Sequence, residues 1–196
     1  GERTNNSSGF NILEVRNNSG LVKFETVTPI KSIIGNIMSN YEITFYSKES
    51  KLSNQNIICP SLTINGYSLT LERCDIVSDN IILNTYVLLS DYVHLAGNLI
   101  QNGEIYIGGS RLEIDGSYSQ GFDTESRLIM TDDNGYMLVR GDFYVTCYDE
   151  SEKYRNTLTA GTIEVKGNFT EDGNVRYGFH DYYGFYAYPA SGTHKT

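Results

Sequence analysis

The sequence predicts an all-β fold: a right-handed parallel β-helix, or β-solenoid, of about eight coils with little helix. Three observations lead there. An apolar-x-apolar-x-Gly phrase returns five times along the 196 residues. The composition is rich in Tyr (16) and Gly (19), holds only 3 Pro and no Trp, and so favours the aromatic surface of a pleated sheet. No stretch of ten or more residues carries a capped i, i+3, i+4, i+7 apolar pattern. Dividing the chain length by a coil of about 20–30 residues gives the coil number.

Residues 1–60 read as opening strands and irregular coils. Within them SIIGNIM, Ser32 to Met38, is expected to make a brief helical turn. Residues 61–172 read as regular coils, carrying LTINGYSL from Leu62, VHLAGNL from Val93, LEIDGSY from Leu112, MLVRGDF from Met137 and IEVKGNF from Ile163. Alternation of apolar and polar residues marks a strand with one buried face. The glycines fall at 66, 97, 116, 141 and 167, so the separations are 31, 19, 25 and 26 residues by subtraction. Such spacing fits a β-helix with turns of variable length better than equal propeller blades. A strand interior disfavours Gly, so each recurrence predicts a corner or a close approach of the next coil. The residue after it (Tyr67, Asn98, Ser117, Asp142, Asn168) is often short and polar, as turns prefer. Between the phrases lie the further strand candidates DIVSDNIIL, TYVLLSD, EIYIGG and RLIMTDD. DDNGY, Asp132 to Tyr136, predicts either a two-residue hairpin or a tight corner. Residues 173–196 form a Tyr-rich segment and a closing stretch, and the whole chain reads as a single unit.

Charge excludes several functions. A net charge of −9 with no Lys/Arg cluster argues against nucleic acid, whose phosphates require basic side chains. No stretch approaches the ~18 apolar residues of a membrane span. The N-terminal GERTNNSSG is polar and lacks an apolar h-region, so no signal peptide is expected in this sequence. Cys59, Cys74 and Cys147 form no CxxC pair and have no neighbouring His at ligand spacing, so they read as small buried hydrophobes rather than a zinc site or a disulfide framework.

The strings LTAGTIEVKGNFT, YMLVRGDF, LEIDGSYSQ and above all ASGTHKT, Ala190 to Thr196, resemble the tandem β-solenoid repeats of very large secreted or surface proteins of Gram-positive bacteria. In those arrays a segment like ASGTHK closes one repeat, and one like FNILEV (Phe10 to Val15) followed by LVKFETVTPIKSIIG opens the next. The likeness covers nearly the whole chain in the same order. The segment RYGFHDYYGFYAYPASG is more Tyr-rich than the family pattern, and ERCDIVSDN is less regular. The resemblance implies an extracellular stalk or adhesive shaft whose partners are neighbouring repeats, and it brings no catalytic residues and no cofactor. It also implies structural roles for Gly141, Asp142, Gly161, Lys166, Gly167, Gly192, Thr193, His194 and Lys195.

Any catalytic chemistry would have to come from the remaining residues. The acidic pairs Asp132–Asp133, Asp149–Glu150 and Glu171–Asp172 are the material for a glycosidase, which needs two carboxylates flanking the scissile bond. All three lie in stretches that read as turns, where Asp is common regardless of function. TDDNGY lacks the ligand order that wraps calcium. His94, His180 and His194 are scattered, with no nucleophile motif nearby. Thr-x-Thr ladders of an ice-binding face are missing. One feature rises above the frame: the aromatic cluster Tyr177, Phe179, Tyr182, Tyr183, Phe185, Tyr186 and Tyr188. It reads first as a cap or repeat–repeat interface because it precedes the closing motif, and second as a glycan-binding face, since Tyr offers both a ring and a hydroxyl. No metal site, cofactor or catalytic residue is expected.

Overall fold

A computed structural model describes residues 12–14, 22–25, 33–47, 49–120, 126–146, 157–172, 176–177 and 180–181. Among them all regular structure is strand, and fourteen strands join in one parallel sheet that winds into a β-helix. Ile33–Met38 is a strand paired in parallel with Ser50–Ile58, so the brief helical turn expected at Ser32–Met38 does not form. Its two apolar pairs sit on a ladder, whose hydrogen bonds a single helical turn cannot match.

The winding is visible in the register. Ile43 pairs with Leu62, Ser50 with Leu69 and Tyr92 with Arg111, and stacked side chains such as Asn65 and Asn84 stand 19 residues apart. One 41-residue run, Ser61–Gln101, remains in strand geometry round two coils without a break. On one face the tiers Ile12–Glu14, 36–38, 56–58, 75–77, 92–95, Arg111–Ile114, Tyr136–Val139 and Thr162–Val165 follow one another. That makes eight, in keeping with the length argument. Further along, the step rises to 25 and then 26 residues: Tyr118 pairs with Phe143, and Phe143 with Phe169. Part of the extra length lies in the turn at Asp132–Gly135, closed by Gly135 N–H donating to the Asp132 carbonyl at 2.9 Å. The strands flanking it, Arg127–Ile129 and Tyr136–Val139, pair in parallel with separate partners, so DDNGY is a corner and not a hairpin.

Corners explain the glycines. Gly97, Gly116, Gly141 and Gly167 form one column, each N–H after the first donating to the carbonyl of the previous glycine at 3.0–3.1 Å. A Cβ on Gly116 would lie 2.6 Å from the backbone of Gly97, closer than packed atoms tolerate. The residues that follow make a second column. Ser117 N–H donates to Asn98 Oδ1 (2.9 Å), Asp142 N–H to Ser117 Oγ (3.0 Å), and Asn168 N–H to Asp142 Oδ1 (2.8 Å). Short polar side chains thus satisfy corner N–H groups that the ladder leaves over. Gly66 belongs elsewhere, against Ser47, with φ of 121° and no room for a Cβ. Its 31-residue distance from Gly97 is therefore not a coil.

Inward side chains stack in rows. Leu62, Ile64, Ile81, Leu83, Leu95, Leu99, Ile105, Leu112 and Ile114 are each at most 2% exposed. Cys59 and Cys74 lie in the same core as free thiols, and burial pushes the pKa of both up. Cys147 lies outside the described residues. At the C-terminal side an aromatic row begins with Tyr118, whose ring centroid is 4.5 Å from that of Phe143; Phe143 in turn stacks on Phe169 at 5.1 Å.

Candidate functional site

Two constructions stand out on the outer surface. The first is a chain of charges along the face that ends in Thr162–Val165. His94 sits one tier from Asp75 and bridges Asp75 Oδ1 (Nδ1, 2.8 Å) and Asp115 Oδ2 (Nε2, 3.1 Å). Arg140 joins Asp115 (3.3 Å) to Glu113 (3.1 Å), and Arg111 Nε meets Glu113 Oε1 at 2.7 Å. The Arg111 guanidinium lies 4.2 Å from the centre of the Tyr136 ring, and Tyr136 donates its hydroxyl to Glu164, which also pairs with Lys166. Opposite charges therefore meet both between tiers, as at Asp75–His94–Asp115 and Arg140–Glu113, and within one tier, as at Arg111–Glu113 and Glu164–Lys166.

The protonation states follow from that geometry. Burial pulls the His94 pKa down, yet the hydrogen bonds to Asp75 and Asp115 outweigh it and hold the pKa above the ordinary imidazole value. With both ring nitrogens facing carboxylates, both must donate, which the imidazolium alone can do. A histidine held so is a poor general base. Burial pushes the Glu113 carboxyl up, but bonds to Arg111 and Arg140 prevail and its pKa lies below the usual range. These are the properties of a staple between coils.

The second construction is a groove of about 540 Å³ running along the corner that contains Gly66. Gly66, Thr85 and Gly103 lie in its lining; a Cβ at Gly66 would meet the backbone of Ser47 at 1.7 Å and one at Gly103 the backbone of Thr85 at 2.2 Å, so the coils stack too closely at both positions for a side chain. One wall carries Asn84 and Asn102 in an amide ladder: Asn84 Nδ2 donates to Asn65 Oδ1, and Asn102 Nδ2 to Asn84 Oδ1, both at 2.7 Å. The opposite wall carries Tyr67, Tyr86 and Glu104. Tyr67 is 78% exposed and Tyr86 37%. Glu104 is ion-paired with Arg127.

The aromatic cluster expected from the sequence is only touched by the described residues. Tyr177 lies in the strand Arg176–Tyr177, antiparallel to His180–Asp181, in a separate two-stranded sheet. Phe179, Tyr182, Tyr183, Phe185, Tyr186 and Tyr188 lie outside the described residues, as do Asp149, Glu150 and His194. Glu171 and Asp172 end the parallel strand Phe169–Asp172. Asp132 Oδ1 accepts from Asn134 N–H at 2.9 Å and from its amide at 3.1 Å, the ordinary work of a turn aspartate. Among the described residues no three His, Cys, Asp or Glu side chains gather as metal ligands. No helix among the described residues is long and apolar enough to cross a membrane.

Sequence reasoning passed over Tyr67, Tyr86 and the amide ladder. The only signal for them is arithmetical: 65 and 84 differ by one 19-residue coil, as do 67 and 86, and 84 and 102 differ by 18. Comparison with known proteins finds no matching family model, no matching curated protein and no matching solved structure.

Proposed function

We propose that this chain is a non-catalytic structural module of a large extracellular protein of the Gram-positive surface or secreted type, one unit of a stalk in which successive solenoids stack end to end. The observation that carries the reading is the end of the stack. Phe169 continues the buried aromatic row of Tyr118 and Phe143, yet is itself 46% exposed. Its strand, Phe169–Asp172, and the neighbouring Thr162–Val165 each pair on one side only among the described residues. An open ladder with an apolar row at its centre favours a further tier, because each solenoid unit buries its face against the next. The closing and opening motifs at the two ends of the sequence support a neighbour of the same kind.

A chain carrying two tandem copies tests this. Small-angle scattering should report a stiff rod about twice as long as the single unit, with a melting temperature above it, and Phe169→Asp in the first copy should remove the gain. Two copies that melt at the single-copy temperature and scatter as flexibly linked beads would overturn the proposal.

A further inference from the structure

We propose that the groove between Tyr67, Tyr86 and the Asn84–Asn102 amide ladder is a binding site for an uncharged, linear oligosaccharide lying along the solenoid axis. This goes beyond the stalk reading and uses none of the residues of the Tyr-rich C-terminal segment.

The shape comes first. Successive tiers of a parallel sheet lie about 4.8 Å apart, so a groove that crosses the tiers Gly66, Thr85 and Gly103 presents a repeating surface to a repeating ligand. Its volume of about 540 Å³ falls in the range of small-ligand sites. Both lining glycines are obligatory, since a Cβ at either would strike the backbone of the tier beneath, so the backbone along the groove is fixed by the winding.

The chemistry follows from the two walls. Tyr67 and Tyr86, one coil apart, offer rings to the solvent on the same edge, and an aromatic ring with a hydroxyl stacks on an apolar sugar face while bonding its rim. Burial pushes the Tyr86 phenol pKa up, with the Glu104 carboxylate and Tyr106 adding to it, so its hydroxyl stays a neutral donor. Opposite, each ladder Nδ2 spends one of its two hydrogens on the neighbouring amide and retains the other. The ladder also fixes the amide planes, which lowers the entropy lost when a ligand is held. Hydroxyl-rich ligands match such alternating donors and acceptors.

Charge narrows the class. Among the described residues of the lining the one charged group is the carboxylate of Glu104, which Arg127 pairs from outside the lining. Within a chain of net charge −9 this disfavours phosphates, uronic acids and acidic peptides. An added peptide strand has no ladder to join here, because the N–H groups of Asn102 and Gly103 already donate to the Leu83 carbonyl at 2.8 and 3.2 Å. A neutral sugar chain satisfies every wall.

The test uses the whole chain and five hexasaccharide probes: β-1,4-linked glucose, N-acetylglucosamine, xylose and mannose, with hexagalacturonate as the acidic comparison. Titration is followed by NMR of the Tyr rings and Asn side-chain amides and by calorimetry. At least one neutral hexamer should move the Tyr67, Tyr86, Asn84 and Asn102 resonances. Tyr67→Ala and Tyr86→Ala should each weaken its binding at least tenfold with the melting temperature kept within 2 °C, while Tyr182→Ala and Tyr183→Ala leave it unchanged. The proposal is overturned if no neutral hexamer shifts those resonances, if hexagalacturonate binds more tightly, or if binding survives loss of both groove tyrosines.

Discussion

Replacing Gly116 by Ala asks whether the coils are held as closely as the glycine column implies. The new Cβ would lie 2.5 Å from Asn98 Oδ1 and 2.6 Å from both the carbonyl carbon and oxygen of Gly97. Asn98 can swing away, but the Gly97 backbone is fixed by its own ladder, with Gly116 N–H donating to its carbonyl at 3.0 Å. Overpacking of this kind costs about 1–3 kcal/mol. Displacing Asn98 also forfeits its bond to Ser117 N–H, worth about 1 kcal/mol. Stiffening the unfolded chain returns about 0.4–1 kcal/mol. The balance is a loss of about 2 kcal/mol, which for a domain of this size lowers the melting temperature by roughly 4–8 °C. Gly109→Ala is the comparison, because its Cβ would meet only the Asp132 carboxylate, a side-chain group, at 3.3 Å; its stability should stay within about 0.5 kcal/mol of the parent. Thermal and urea unfolding followed by circular dichroism read both variants. If Gly116→Ala proves as stable as Gly109→Ala, the close stacking of that corner is wrong.

Three further outcomes follow from the same structure. Phe143 is 1% exposed between Tyr118 and Phe169, so Phe143→Ala should cost about 3–5 kcal/mol in urea unfolding, and a loss below about 1 kcal/mol would refute the continuous aromatic row. The His94 pKa is raised on folding, so the stability it contributes is complete below its unfolded value and is lost as pH rises through the folded one. With Asp75 and Asp115 half-exposed, the change should be no more than about 1 kcal/mol; it should vanish in His94→Gln, and a stability that rises over the same pH interval because of His94 would contradict the bridge. Thr85 Oγ1 is buried with no hydrogen-bond partner among the described residues, so Thr85→Val should stabilise by about 1 kcal/mol in the same assay, and a loss of stability would show that the hydroxyl is engaged.

Much of the fold was legible because it is written locally. Period-2 alternation at LEID, MLVR and IEVK places Leu112, Ile114, Met137, Val139 and Ile163 in the core, and the polar residue after each of Gly97, Gly116 and Gly141 is the one that satisfies the next corner. Two local readings failed where pairing decided. Ile33–Met38 has apolar pairs compatible with a helical turn until a parallel partner supplies ladder bonds. Gly66 shares the phrase of the other glycines yet turns a different corner.

What the sequence determined by itself is the class of fold and the chemistry of one corner, because those depend on neighbours two to five residues apart, and the approximate number of coils, which follows from chain length. The glycine spacing carries the coil step from Gly97 onward, but tertiary structure alone decided which outward side chains meet. The 19-residue step brings His94 between Asp75 and Asp115 and sets Tyr86 beside Tyr67 across from Asn84. A step of one residue more or less would turn these side chains to the other face of the strand, and before Gly97 no glycine spacing in the sequence specifies it. The inner rows and the corner turns together set that step, and the groove is its consequence.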